Sequence, residues 1–425
     1  MLKDYIVRIL RHAGIFFVAK STVLIAPFFA AAFLSQKLYG QIEWWLSLSM
    51  AIGPLLGFGA SGVIAYGTLG GEAKRYVRPA VFFVVSLSLT VLVGCLVFIF
   101  FLDSWKSNFL IVVSVMSVSV ALQLITSSRL KALGKGAWAS VIESNVYAIL
   151  LLAVFFSLWL SDFVEIFVSL LFLYCLIIVF FISKSMLLGK KNFFRASRFF
   201  GFFRLGFSFL VSASLMGIFM SSPRIFLGSF DGPEAVAQFS LVFRWLSISI
   251  IIHQFAITVF FKTIYAQPQT NRQIYLLASV VACVTAFSFF LALLVYYKPY
   301  AALGIPYPPR VSFDLIVVMS LVMTFWATSA SLEGILYRAG ALNYQGRATA
   351  IGLIVAVVVL AIINALGLNE LKWVAAAWAI GFFVILSLQF SFIRDSGLLF
   401  KPILGVCLFA VFVCLVCLLF DVGAL

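Results

Sequence analysis

The sequence predicts an all-α polytopic membrane protein: two six-helix lobes and an extra C-terminal transmembrane helix. Three observations predict it. The 425 residues are 64% hydrophobic and only 10% charged, more apolar surface than a water-soluble fold can hide. The apolar residues fall into repeated runs of about 20, the length that crosses a hydrocarbon core as a helix. The alternation of apolar and polar residues that marks a membrane barrel is missing.

In order, the runs lie at 13–35, 41–69, 79–102, 108–129, 137–160 and 162–183, then at 204–229, 234–261, 273–297, 311–337, 345–367, 371–393 and 402–420. Between the sixth and seventh lies "KSMLLGKKNFFRASRFFGFF", residues 184–203, where Phe pairs alternate with Lys and Arg. That mixture suits a segment lying against anionic headgroups. The expected organisation is therefore an N-terminal lobe (1–183), a basic amphipathic cytoplasmic connector (184–203), a C-terminal lobe (204–393) and an extra helix (394–425). Two echoes support parallel halves. "YGQIEWWLSLS" after the first run resembles "VAQFSLVFRWL" after the seventh, and "KALGKGAWASV" after the fourth resembles "YRAGALNYQGR" after the tenth. Internal duplication of this kind is common in transporters.

The net charge of +15 is explained by topology rather than by nucleic acid. With the N-terminus in the cytoplasm, 21 of the 29 Lys and Arg fall on the cytoplasmic side, five outside and three within spans. This is the positive-inside bias. No cleavable signal peptide is evident, and the first run is long enough to span. The outer loops are too short for an extramembrane catalytic domain. The six cysteines all lie in apolar runs, so no disulfide is expected, and "CLVC" at 414–417 reads as lipid-facing rather than as a redox or metal site. There is no GxxxxGK[ST] phosphate loop, and two histidines give a metal site little to work with; no cofactor is expected.

Charge inside a bilayer is costly, about 2.5 to 3.5 kcal/mol on insertion scales, and marks a cavity or a partner. Arg244 lies ten residues beyond Glu234, roughly 15 Å deep at 1.5 Å per residue. Ser240, Ser247 and Thr258 share its side of a helical wheel, so a polar stripe facing a cavity is expected. Arg224 lies near the outer end of its span. Either it snorkels outward or it turns into the bundle, and Pro223 before it suggests a break. Lys20, in the first span, leaves the same two choices open. Glu143 and Glu333 are the acids placed inside spans. They pair with Arg129, Lys131 or Arg338, or they couple transport to protons. His253 falls off the polar stripe and reads as packing. In the second span, Pro54 with Gly53, Gly57, Gly59 and Gly62 makes either a kinked packing helix or a hinge beside a cavity, with Gly53, Pro54 and Gly57 as the hinge residues.

The stretch "SPRIFLGSFDGPEAVAQFS" resembles the seventh-to-eighth helix corner of bacterial polysaccharide repeat-unit flippases of the Wzx type, with Pro223, Arg224, Gly232, Glu234, Ala235 and Phe239 on the pattern. "NALGLNELKWVAAAWAIG", 364–381, resembles the family's eleventh-to-twelfth corner through Asn364, Ala375 and Ala376, with its glycines replaced; "LSQKLYG", 34–40, resembles the first corner. The resemblance implies the multidrug/oligosaccharidyl-lipid/polysaccharide exporter fold, two lobes around a central cavity. It implies flipping of undecaprenyl-diphosphate-linked oligosaccharide to the outer leaflet of the bacterial inner membrane, for O-antigen or capsule, beside a polysaccharide polymerase and a chain-length regulator. Carried over, Arg224, Arg244 and Lys20 are the cationic substrate residues, with Ser240 and Ser247 beside them and Arg129, Lys131 and Lys135 gathering phosphate at the cytoplasmic face. Trp44, Trp45 and Tyr66 are candidates for sugar stacking. The 402–420 span departs from the usual twelve-helix layout, and the first span lacks the acid that proton-coupled drug exporters of this fold often carry. The competing expectations are an ion-coupled exporter of drugs or organic cations, which favours an anionic cavity, and a membrane enzyme of polysaccharide assembly, which needs a large outer loop or buried His/Asp pairs.

Overall fold

The computed structural model describes residues 2–69, 72–101, 109–160, 162–187, 196–259, 271–296, 304, 311–338, 341–368, 370–395 and 401–422. Every element among them is helical. This is what lipid demands, because a helix satisfies its own backbone hydrogen bonds where no water can. Among the described residues, ten helices are long and apolar enough to cross a membrane, and two bent pairs bring the number to twelve. The protein is a multi-pass membrane protein.

By contacts the chain divides into two compact units, residues 1–34 with 42–222 and residues 35–41 with 223–425. In the first unit α1 (Leu2–Phe33) packs along α6 (Gly136–Ser157), with α5 (Phe109–Ala132) at the centre against α3 (Ala60–Leu69), α4 (Val77–Phe101), α6 and α7 (Phe163–Ile182). Central α5 carries serines and Gln123 and buries most of its length. α7 is capped by Asp162, whose side chain accepts the Glu165 amide at 3.2 Å. It ends in a short π-helical turn, Ser183–Leu187. In the second unit α12 (Phe313–Arg338) is central. It packs against α11 (Asn271–Tyr296), α14 (Leu371–Asp395) and α15 (Lys401–Val422), and α14 also lies against α13 (Leu342–Ala365). The run at 402–420 is thus a helix packed into its unit. The basic connector's centre, 188–195, lies outside the described residues, while its last part already belongs to α8 (Ala196–Phe230).

Two spans are broken. α2 (Gln36–Gly57) and α3 meet at 58°. The break is at Phe58 (φ 43°) and Gly59 (φ 68°), directly after Gly57 and about one turn beyond Pro54, because the left-handed pair interrupts the helix more than the proline does. A side chain at Gly59 would collide with the Gly206 carbonyl oxygen. Phe58, strained by about 1–2 kcal/mol in that conformation, is held by ring contacts at 5.2 Å to Phe203 and 5.8 Å to Phe83. The second break, 59° between α9 (Pro233–Leu246) and α10 (Ile250–Val259), falls inside a run that the sequence shows as one continuous span. There Ser247 and Ser249 turn their hydroxyls back onto the carbonyls of Arg244 (2.8 Å) and Leu246 (2.7 Å), a pattern that bends helices. Conversely, α8 runs unbroken through Pro223, so the break expected there is absent: the Phe219 carbonyl that the proline leaves without its amide accepts from the Ser222 hydroxyl at 2.8 Å instead.

Candidate functional site: buried cations in two units

In the second unit the two membrane arginines meet on one ring. Arg224, on α8, places its guanidinium 4.2 Å from the Phe243 centroid, and its Nε donates to Ser240 Oγ at 3.1 Å. Arg244, on α9, approaches the same ring at 6.0 Å. They are 6% and 5% exposed, too buried for Arg224 to be snorkelling to the surface. Phe243 stacks on Trp326 of α12 (6.0 Å, 22°) and lies 5.8 Å from Trp378 of α14, which in turn contacts Phe239 and Phe382. Aromatic faces stabilise guanidinium by their quadrupole, by about 2 kcal/mol or more where water is excluded. α9 supplies this geometry because Ser240, Phe243 and Arg244 follow one another at helical spacing on a helix opened by Pro233 and Glu234.

In the first unit three residues expected to play three different roles form one cluster. Lys20 of α1 and Lys131 of α5 both contact Glu143 of α6, at 3.5 Å and 2.5 Å. Lys20 is buried, and its ammonium also lies 5.8 Å from the Phe16 ring. Two ammonium groups share one carboxylate, so the cluster carries a surplus positive charge. Glu143 neutralises a lysine that would otherwise be buried alone. That arrangement accounts for its position without a proton-carrying role.

No protein-family model and no curated protein matches the chain. Solved structures do. The lipid II flippase MurJ in an inward closed conformation matches with a TM-score of 0.61 at 16% identity, over 97% of this chain and 93% of that one. The MATE multidrug transporter DinF-BH gives 0.60 at 16% identity, over 93% and 96%. An outward-facing MATE multidrug transporter of the MOP superfamily gives 0.54 at 16%, over 94% and 96%. The chain shares the overall fold of these solved structures. A flippase and drug transporters are among them, so the likeness gives the architecture alone.

Within this fold the other expected residues are placed as follows. Ser240 is fully buried on Arg224; Ser247 is half-buried at the end of α9. The stripe joining them to Thr258 is interrupted by the bend before α10, since a helical wheel holds only along one straight helix. His253 is buried, with Nε2 3.0 Å from Ser331 Oγ. Glu333 is half-buried on α12, and Lys135 is exposed between α5 and α6. Arg129 is drawn to Ser185 at 3.3 Å, not to Glu143. Trp44 packs on Phe109 (5.3 Å), Trp45 is buried, and Tyr66 lies 5.3 Å from Phe209. Sequence reasoning missed Trp326 and Trp378, which no motif marks as neighbours of the arginines. It also missed Glu43, 1% exposed inside the second span, although position 43 falls within the 41–69 run.

Proposed function

We propose that this chain is a flippase. It moves undecaprenyl-diphosphate-linked oligosaccharide repeat units from the cytoplasmic to the outer leaflet of the bacterial inner membrane by alternating access, for surface polysaccharide such as O-antigen or capsule. The observation that carries the reading is the pair of buried guanidinium groups on Phe243, with Trp326 and Trp378 beside them. A diphosphate crossing a bilayer must exchange its water for fixed donors, and arginine binds phosphate through a planar, charge-assisted fork. Flat indole faces offer surfaces for sugar rings. The lysine-rich cluster at Glu143 adds positive charge in the other unit, and the lipid tail stays in the bilayer.

A second reading, export of organic cations, is favoured by the likeness to MATE transporters and by aromatic rings that would also receive a cation. Two guanidinium groups on the same ring oppose it, because like charge against the cargo is a device for rejection. The test is substitution in the native host. Arg244→Ala should lower surface polysaccharide at least tenfold at normal protein level, with lipid-linked glycan accumulating on the cytoplasmic face, and Arg244→Lys should recover part of it. Wild-type polysaccharide in Arg244→Ala cells would sink the reading. Loss of dye efflux in a deletion strain that still makes normal polysaccharide would favour the cation exporter.

A further inference from the structure

We propose that the first unit holds a built site for an anionic glycerophospholipid, with the phosphate on Arg129 and a chain segment in the cavity beside it. Among the described residues a half-enclosed cavity of about 200 Å³ lies between α3, α4, α5, α7 and the π-helical turn that follows α7. Its lining is apolar, with Val81, Ile125, Ile178 and Phe181 among the residues facing it. The polar exceptions are Thr126, Arg129 and Ser185. Three features select the occupant.

The first is what fills such a space. α7 presents Ile177, Phe180 and Phe181 at 44%, 60% and 59% exposure, so the cavity adjoins a face that meets lipid. An apolar hollow there takes hydrocarbon, not water, because its walls offer a water too few polar partners. Its volume suits on the order of seven groups of water or methylene size, at ~30 Å³ each. That accommodates a stretch of acyl chain.

The second is Arg129. It sits in the last turn of α5 and is half-buried. Among the described residues its side chain makes one hydrogen bond, from Nη1 to Ser185 Oγ at 3.3 Å, and no carboxylate pairs with it. A guanidinium has five N–H donors. Most of that fork is left for an oxyanion at the cavity mouth, with the Ser185 hydroxyl beside it.

The third is the surrounding charge. The 3₁₀ turn at Glu72–Tyr76 ends in Lys74 and Arg75, and packs against α3 and α4. The π-helical turn carries Lys184 and packs against α4 and α7. Lys74, Arg75 and Lys184 are exposed. Basic side chains thus lie on the two turns packed against helices that line the cavity, a pattern that concentrates anionic headgroups. This site does not rest on the flippase reading: it lies on other helices than Arg224 and Arg244, and its occupant is not the cargo.

The test uses the purified full chain in detergent, with native mass spectrometry against added phosphatidylglycerol, phosphatidylcholine or undecaprenyl diphosphate. Phosphatidylglycerol should stay bound at concentrations about tenfold lower than phosphatidylcholine. Arg129→Gln should erase that preference and Arg129→Lys should keep part of it. Ile178→Trp, which fills the cavity from its lipid side, should remove binding, while helical circular dichroism and detergent unfolding stay at wild-type values. Equal retention of the two phospholipids, or an unchanged preference in Arg129→Gln, overturns the proposal. So does retention of undecaprenyl diphosphate with phosphatidylglycerol excluded. If Ile178→Trp does not fold, Val81→Phe probes the same cavity from α4.

Discussion

Replacing Glu143 by Gln separates an ion-pair role from a proton-carrying one. The substitution keeps shape and hydrogen-bonding capacity and removes the charge shared by Lys20 and Lys131. At 3.5 Å and an effective dielectric near 20, the attraction between Lys20 and Glu143 is about 5 kcal/mol. Desolvation of both groups cancels part of this. Breaking a buried pair typically costs about 3–5 kcal/mol because the partner is left uncompensated. Lys20 is 10% exposed at its side chain and Glu143 26%, so solvent screening discounts that range to about 2–4 kcal/mol. For a unit of this size that corresponds to roughly 5–15 °C in unfolding midpoint, read by tryptophan fluorescence of the purified protein in detergent. The decisive measurement is the double variant. Lys20→Met removes the buried charge that Glu143→Gln strands, so Lys20→Met/Glu143→Gln should unfold well above Glu143→Gln alone, with a coupling of about 1–3 kcal/mol. Wild-type stability of Glu143→Gln, or no recovery in the double variant, would refute the reasoning. Recovered transport in the double variant would also rule out Glu143 as an obligatory proton carrier.

Two further substitutions probe the local arguments by thermal unfolding. Gly59→Ala should cost about 2–4 kcal/mol, from the left-handed backbone and the collision with the Gly206 carbonyl oxygen; Gly57→Ala, which meets open space at the last residue of α2, should be neutral or stabilising by up to about 1 kcal/mol. In the second unit, Gln389 Nε2 donates to Gln345 Oε1 at 2.8 Å with both residues fully buried. Gln389→Leu should therefore cost about 1–3 kcal/mol by stranding that oxygen, and Gln345→Leu/Gln389→Leu should be less harmful than the single change.

The helices were legible because the bilayer reduces the fold to a length rule: a run of about 20 apolar residues has few alternatives to a helix. The two bends were legible unequally. The Pro54 region announces one through its glycines, yet the break settles on Phe58 and Gly59, where the surrounding phenylalanine rings hold a left-handed pair. The bend after Leu246 has no proline or glycine at all, only serines among isoleucines, and serine marks a bend only when its hydroxyl turns back onto the helix. Pro223, the loudest signal, leaves α8 continuous.

The arginines show what depth along one helix misses. Counted from the outer turn, Arg224 is shallow and Arg244 deep, which suggests one surface residue and one cavity residue. Yet they lie on consecutive helices joined at "FDGPE", and a chain that turns back brings together residues equally far from the turn: Arg224 and Ser240 each lie eight residues from Gly232. Arg224 reaches Ser240, and Phe243 accepts it on its face. The ring then fixes both guanidinium groups, and it is itself fixed by Trp326 and Trp378 from α12 and α14. Hydropathy cannot reveal that convergence, because a tryptophan beneath an arginine and one facing lipid look alike in a sequence. The consequence is a coupling between the two arginines through Phe243. Phe243→Leu, which keeps bulk and removes the quadrupole, should weaken the hold on both at once, by about 1–2 kcal/mol at each. It should therefore lower transport more than any single change among Trp326, Ser240 and Trp378, at near-normal protein levels. Transport equal to wild type in Phe243→Leu would mean that the ring only fills space and that the arginines act apart.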